Sequence, residues 1–284
     1  MSIVIGIDIG GSTTKIVGFV NNNGWKLLEP QLITANDPVT ATYGAFGKFT
    51  DENNLNIPDI SKVMITGVGA SHIKNSLYGL DCRRVSEFEC IGRGGTYLTG
   101  LPEALVVSMG TGTAMVHAGL DGEMKYLGGT GVGGGTLTGL SKLLLGTGSI
   151  ENIERYAEEG SLDKIDLKIG DLTKNDSMGR LEKNVTAANF GKLSDVADKG
   201  DYALGIINMV FETVGMVSMF AARSVGVSKI VLTGNVTKLG LCREKFEEIN
   251  RLEVCKGINF LIPERSRFAT AIGAAIIGIG SDNL

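Results

Sequence analysis

Histidine and cysteine are scarce in this chain, with 2 and 4 in 284 residues, and neither is grouped for metal or redox chemistry. His72 and His117 stand alone, and Cys82, Cys90, Cys242 and Cys255 include no C-x-x-C pair, which argues against a zinc site or a disulfide framework. No basic run occurs and the net charge is −4, so the positive face that a nucleic acid's phosphate backbone requires is missing. A clean bilayer span is missing too. The longest apolar region, Ile206 to Ala222, is interrupted by Asn208 and Glu212 and closed by Arg223, and reads as a buried or interfacial helix. The N-terminus shows no basic segment ahead of its apolar residues and no small-residue cleavage site, so neither a secretory signal nor membrane association is expected and the expected location is cytoplasmic. Prolines number only 5, against 41 glycines that fall in short clusters beside apolar runs without collagen-like period. That distribution suits a backbone that approaches a ligand closely at several places.

With 43% hydrophobic and 20% charged residues, the chain can bury a large core and is expected to form two lobes, residues 1–103 and 104–284. The first glycine cluster closes the stretch Val4-Ile5-Gly6-Ile7-Asp8-Ile9-Gly10-Gly11-Ser12-Thr13-Thr14-Lys15. A β-branched run that stops at two glycines and resumes as Thr13 to Val17 predicts a hairpin whose tight turn presents backbone N–H groups. The hydroxyls of Ser12, Thr13 and Thr14 and the ammonium of Lys15 can donate to anionic oxygen, and Asp8 can organise the water shell of Mg²⁺. An unadorned Gly-rich hairpin in a core sheet, with Asp8 capping its own turn, explains the same residues.

Further along, Trp25 to Ile33 reads as a strand and the spacing of Val39, Tyr43, Phe46 and Phe49 as a helix. Lys62 to Gly67 reads as a buried strand, and Arg84 to Phe88 as a short one that gives way to a helix from about Cys90 to Thr96. Glu87 at that junction is a candidate base, because strand ends in such sheets face the ligand crevice. It could equally be a first-turn Glu favouring a helix N-terminus, and Glu89, two residues along the same face, competes for the role.

Ala104 to Met109, Gly110-Thr111-Gly112-Thr113 and Ala114 to Val116 repeat the opening unit of strand, hydroxyl-bearing turn and strand. Two such units suggest an internally duplicated fold that could grip a nucleotide polyphosphate from both sides. The cluster Gly128 to Thr136, with Gly133, Gly134 and Gly135, precedes a helix from Leu137 to Leu145 and can place donors at its N-terminus, although the Lys-Ser/Thr of a Walker loop is absent. Thr186-Ala187-Ala188-Asn189-Phe190-Gly191 is a small-residue turn in a polar segment. The helix 202–226 is apolar around most of its circumference, which fits either a core helix or one shared with a partner subunit. Lys229 to Asn235 is a strand running into a Gly234 turn, and a last helix near Phe268 to Ala275 has small residues suited to close packing; a nucleoside could be clasped between the two.

This order of parts resembles the actin-like, sugar-kinase and Hsp70-type ATPase superfamily over nearly the whole chain. The resemblance implies an α/β fold of two lobes, each a mixed sheet flanked by helices, in a duplicated ribonuclease H-like arrangement. More closely, Gly6-Ile7-Asp8-Ile9-Gly10-Gly11, Glu87-Phe88, Gly110-Thr111-Gly112-Thr113, Gly128 to Gly135 with Leu140, Thr186 to Gly191 and Ala271-Ile272-Gly273-Ala274 are similar to type II pantothenate kinase. That likeness implies ATP-dependent phosphorylation of pantothenate, the entry step to coenzyme A, by a homodimer whose long helices pack together. It makes Glu87 the general base, Asp8 the Mg²⁺ carboxylate, and Gly10, Gly11, Ser12, Thr13, Lys15, Gly110 to Thr113, Gly133 to Gly135 and Gly234 the ATP contacts. Thr111, Tyr126 and the loop Ala187 to Phe190 would face pantothenate, the loop from across the dimer. Where the family carries an arginine this chain has Tyr126, with Lys125 beside it, and Ala114 replaces a small hydroxyl residue; Arg93 or Lys125 is the expected substitute charge.

A dehydratase-activator ATPase of the same superfamily is the main alternative, but its bridging iron–sulfur cluster needs a cysteine beside a mid-chain Gly turn, and none lies between Cys90 and Cys242. A sugar-type kinase would use an Asn-Asp pair, here Asn175-Asp176. A nucleotide-binding regulator that has lost turnover is the reading from outside enzymes.

Overall fold

The structure is a computed structural model that describes residues 2–280 apart from 35, 36, 75, 174–176, 179 and 180, so the Asn175-Asp176 pair lies outside the described residues. In chain order the elements begin with β1 (Ser2–Ile9), β2 (Thr14–Asn21), β3 (Trp25–Leu27), β4 (Gln31–Ile33), α1 (Pro38–Glu52), β5 (Ile60–Thr66), β6 (Ser76–Leu77), β7 (Leu80–Arg84) and α2 (Glu87–Thr99), which packs on the second sheet through Ile91 against Val106 and Val116. They continue with β8 (Ala104–Met109), β9 (Thr113–Ala118), β10 (Met124–Thr130), α3 (Gly134–Leu145), α4 (Ile150–Ala157), β11 (Leu167–Lys168), α5 (Ile169–Leu172), β12 (Ser177–Met178), β13 (Leu181–Glu182) and β14 (Thr186–Ala188). The chain closes with α6 (Lys199–Ser224), β15 (Lys229–Thr233), α7 (Gly240–Arg251), β16 (Asn259–Leu261) and α8 (Ala269–Ile279).

Two sheets carry the fold, and five strands of each have the same order and polarity. In the first, β3, β2 and β1 are antiparallel neighbours, then β5 and β7 continue in parallel. In the second, β10, β9 and β8 are antiparallel, then β15 and β16 are parallel. The match extends to single residues: Asp8 pairs with Thr66 across the β1/β5 ladder, and Ser108 with Thr233 across β8/β15. The duplication expected from the two Gly/Thr turns is therefore present in the backbone.

Several boundaries differ from the sequence pattern, each for a local reason. The run Trp25 to Ile33 is two strands on the same edge of β2, interrupted where Pro30 has no N–H to give the ladder. Arg84 to Phe88 is not a strand. β7 stops at Arg84, Ser86 takes the N-cap position, and Glu87 and Glu89 occupy the first turn of α2, where carboxylates favour the helix N-terminus. Gly128 to Thr130 are strand, paired with Thr113 to Met115 beyond a bulge at Tyr126/Gly128, and Gly128 takes the positive φ of +124° that the bulge demands. The helix that follows starts at Gly134.

The longest helix, α6, is fixed at its start by Asp198, which accepts from the Gly200 and Asp201 N–H groups at 2.8 and 3.2 Å. By length and composition α6 could cross a membrane, but Ile206, Ile207, Val210, Phe211, Val214 and Met219 are buried in the second lobe's core. The last helix crosses back. Ala271, Ile272, Ala274, Ala275 and Ile276 of α8 pack with Val4, Val17, Phe19 and Met64 of the first sheet, so α8 completes the first lobe, a departure from the division expected at 103/104. Close approach is what its small residues provide: a Cβ on Gly273 would overlap the Cys90 carbonyl of α2, and one on Gly6 would overlap the Ala271 carbonyl.

Candidate active site

The strand ends of both sheets meet at a cleft of about 1110 Å³. Asp8, Gly10, Gly11, Ser12, Thr13 and Lys15 line it from the first hairpin, Gly110, Thr111, Gly112 and Thr113 from the second, and Glu87, Tyr126, Gly134, Gly135 and Gly234 from between them. Residues separated by more than 200 positions in sequence thus share one surface.

Antiparallel register sets Asp8 directly across from Lys15, and the Lys15 ammonium donates to Asp8 Oδ2 at 3.1 Å with both side chains buried. Lys15 is therefore held by a carboxylate and does not stand as the isolated phosphate cation that the hairpin alone suggests. Glu87 lies close enough to feel both charges. Burial pushes its carboxyl above the ordinary carboxylate range, the Asp8 charge pushes the same way, and the Lys15 charge opposes them. Glu89 is separated from it: it accepts from Arg93 Nε at 2.9 Å and lines a side cavity of about 330 Å³ instead of the main cleft. The turn into α2 sends the two carboxylates to different cavities, where alternation along a strand would have kept them on one face.

The two glycine turns approach each other, with Thr111 Oγ1 4.0 Å from where a Cβ on Gly11 would stand. Across the cleft Asn235 Nδ2 donates to Thr13 Oγ1 at 3.0 Å, tying the Gly234 turn to the first hairpin. The start of α3 braces the second turn: Gly134 N–H donates to the Gly110 carbonyl and Gly135 N–H to the Thr111 carbonyl, both at 2.8 Å. A Cβ on Gly133 would stand 2.8 Å from the Gly112 carbonyl carbon, so this glycine is needed for packing and does not line the cleft. Two of the N–H groups expected to meet an anion at the α3 N-terminus are thus engaged within the protein.

Residues not singled out in the sequence complete the site. Gly67, at φ +87°, leaves room for the Asp8 carboxylate, since a Cβ there would stand 2.7 Å from Asp8 Oδ1. Gly234 has the equivalent conformation, φ +94°, beneath the Met109 backbone. Their shared Thr-Gly sequence, Thr66-Gly67 and Thr233-Gly234, was the available signal. Asn235, Arg267 and Thr270 also line the cleft.

Tyr126 stacks on Phe88 at 4.0 Å between ring centroids and 15° between planes, forming an aromatic wall between the cleft and the side cavity. Neither expected substitute for the family arginine lines the cleft: Arg93 pairs with Glu89 and Lys125 is exposed on β10. Nor do Ala187, Ala188, Asn189 and Phe190 line the cleft of their own chain. Their turn is fixed elsewhere, with Asn189 Nδ2 donating to Glu212 Oε2 at 2.9 Å and Phe190 N–H to Asp166 Oδ1 at 2.8 Å. Phe190 sits at φ +58°, and Asn208 steadies the fully buried Asp166 at 2.7 Å. No cysteine lines the cleft, and no cluster of three His, Cys, Asp or Glu able to hold a metal occurs among the described residues.

A family model described as Fumble matches residues 101–241. A protein of Oceanobacillus iheyensis named type II pantothenate kinase is 37% identical over 178 residues, a match that spans 60% of this chain and 65% of that one. Proteins of the same name from Bacillus cereus and Staphylococcus aureus are each 28% identical, covering 83% and 96% of this chain and 84% and 99% of their own length. Among solved structures, the activator of the 2-hydroxyisocaproyl-CoA dehydratase from Clostridium difficile with bound ADPNP superposes with TM-score 0.67 at 20% identity, covering 96% of this chain and 92% of that one. A ROK family glucokinase from Streptomyces griseus with glucose and AMPPNP gives 0.58 at 16% identity, covering 96% and 98%. These likenesses, with the paired sheets, establish the actin-like ATPase fold.

Proposed function

We infer that this chain, which belongs to the type II pantothenate kinase family, transfers the terminal phosphoryl group of ATP to the primary hydroxyl of pantothenate. The observation that carries the reading is the placement of Glu87 beside Asp8 and Lys15, in a cleft walled by two glycine turns. Phosphoryl transfer through a loose transition state asks a protein mainly for positioning and charge neutralisation. The turns at Gly10 to Thr13 and Gly110 to Thr113 supply hydroxyls and backbone donors for the polyphosphate, and Glu87 orients the acceptor hydroxyl and takes its proton late in the transfer.

The residues present fit Mg²⁺. Asp8 is buried, one of its oxygens is engaged by Lys15, and the missing Cβ of Gly67 leaves space beside the other. Mg²⁺ typically takes one or two carboxylates and fills its remaining positions with phosphate oxygens and water, so Asp8 with the nucleotide is a sufficient donor set. When bound, the ion would neutralise charge on the phosphates. Lys15 fixes the orientation of the Asp8 carboxylate through its hydrogen bond to Oδ2.

The second substrate wall belongs to a homodimer. The outward side of α6 exposes Phe220 and Val217, the neighbouring α3 exposes Leu143 and Leu144, and the Ala187 to Phe190 turn has no role in its own chain's cleft. A partner packed on this face would bring that turn to the opposite pocket. Phe220→Glu is expected to convert the dimer to monomer in sedimentation velocity and to raise the KM for pantothenate more than tenfold, with the KM for ATP little changed. A monomeric wild type, or a monomeric variant with an unaltered KM, would contradict this. On this reading the protein works in the cytoplasm.

The test of the reaction is ADP release with Mg²⁺ and ATP in the presence of pantothenate, glucose or N-acetylglucosamine. Stimulation by pantothenate alone is the expected result. Stimulation by a sugar, or no acceptor-dependent release from a protein that binds ATP, would overturn the assignment.

A further inference from the structure

Two polar atoms at the joint between the lobes are buried without a hydrogen-bond partner, Arg267 Nε and Asn235 Oδ1. Both residues line the main cleft. They come from loops that are tied to each other: Gly234 N–H donates to the Ser266 carbonyl at 3.1 Å, and the Thr237 and Ser266 hydroxyls are 2.7 Å apart. The Asn235 amide is oriented by its other end, which donates to Thr13 Oγ1 in the first phosphate turn. Leaving buried donors and acceptors unmet is unfavourable, and native proteins rarely do so unless another group supplies the partner.

The charges along the cleft single out the arginine. Lys15 is paired with Asp8, and Lys238 with Glu151 at 3.3 Å, whereas Arg267 makes no ion pair among the described residues. A guanidinium is always charged and presents a planar fork of donors that matches phosphate oxygen. Arg267 stands just ahead of α8, on the turn tied to the Gly234 loop, and it is that loop's Asn235 that meets Thr13.

We propose that Arg267 is a phosphate ligand for the nucleotide, with Asn235 accepting a hydroxyl of the attached sugar, so that this joint binds a nucleoside polyphosphate across both lobes. The proposal rests on the kinase reading, and it assigns to Arg267 the cationic role that Lys15, held by Asp8, does not fill. An acceptor carboxylate is the other anion the cleft would receive, and nucleotide and acceptor binding separate the two.

The experiment measures ADP and adenosine binding by calorimetry for wild type, Arg267→Ala, Arg267→Gln and Arg267→Lys, after thermal denaturation without ligand has shown that each variant is folded. Loss of a charge-assisted contact predicts ADP affinity about ten- to hundredfold weaker in the Ala and Gln variants, with partial recovery in the Lys variant. Adenosine affinity should be the same in all four, because it has no phosphate. Unchanged ADP affinity, or equal losses for ADP and adenosine, would overturn the proposal. So would a raised pantothenate KM with normal ADP binding, which would place the acceptor's carboxylate at Arg267. A wild type that binds no ADP contradicts the kinase reading itself, whereas a wild type that binds ADP beside an unaffected Arg267→Ala contradicts only this assignment.

Discussion

Replacing Glu87 by glutamine is expected to lower kcat by about two to four orders of magnitude, the usual effect of removing a positioned general base, while ATP affinity stays within about twofold of wild type. The amide keeps the size and hydrogen-bonding reach of the side chain, so the loss isolates the proton-accepting function. A second signature follows from the burial of Glu87. Its carboxyl is held above the ordinary 4.5 by burial first and by Asp8 second, against Lys15, so the acid limb of kcat/KM should lie above that value. Activity falls as pH drops through the raised pKa, because only the ionised form accepts the proton. Stability runs the other way. A folded pKa above the unfolded one means that the fold favours the protonated form, so the ionised carboxylate weakens stability at neutral pH and its penalty disappears in acid. Glu87→Gln should therefore melt no lower than wild type, and a pH–rate profile with parallel thermal melts checks both signs.

The largest structural effect is expected at Gly273. Here α8 lies against α2 so closely that a methyl group would overlap the Cys90 carbonyl, and Gly94 makes the reciprocal approach to the Ala269 carbonyl. Both obstacles are backbone, which cannot rotate away. Overpacking of this kind costs about 3 kcal/mol or more, so Gly273→Ala should lower Tm by roughly 6–12 °C. The same crossing joins the lobes through α2, whose first residue is Glu87, so activity should be lost along with stability. Gly44→Ala is the contrast. That glycine lies within α1, with nothing near its missing Cβ, and gaining a better helix former should raise stability by about 0.5–1 kcal/mol.

Much of the fold was legible because its signals are local. Gly10-Gly11 and Gly110-Thr111-Gly112 mark the two hairpin turns, and Asp8 and Ser108 fall at equivalent places in two copies of one strand pattern. The sequence left Glu87 open between a strand end and a first-turn Glu, and the structure has the second, with Ser86 in the N-cap position. What was not legible depends on distant partners. The packing role of Gly133 requires knowing that Gly112 lies beneath it. Small residues near Gly273 suggested a close neighbour, and only the tertiary structure identifies it as a helix and not a ligand ring. Arg267 carried no pattern at all. That it forms no ion pair among the described residues, unlike Lys15 and Lys238, is visible only in the folded structure.

The most direct measurement follows labelled γ-phosphate from ATP to pantothenate in wild type and in Glu87→Gln. The account predicts labelled phosphopantothenate from wild type and almost none from a variant that still binds ATP. Equal transfer by both proteins, or ATP binding without any label reaching pantothenate, would contradict it.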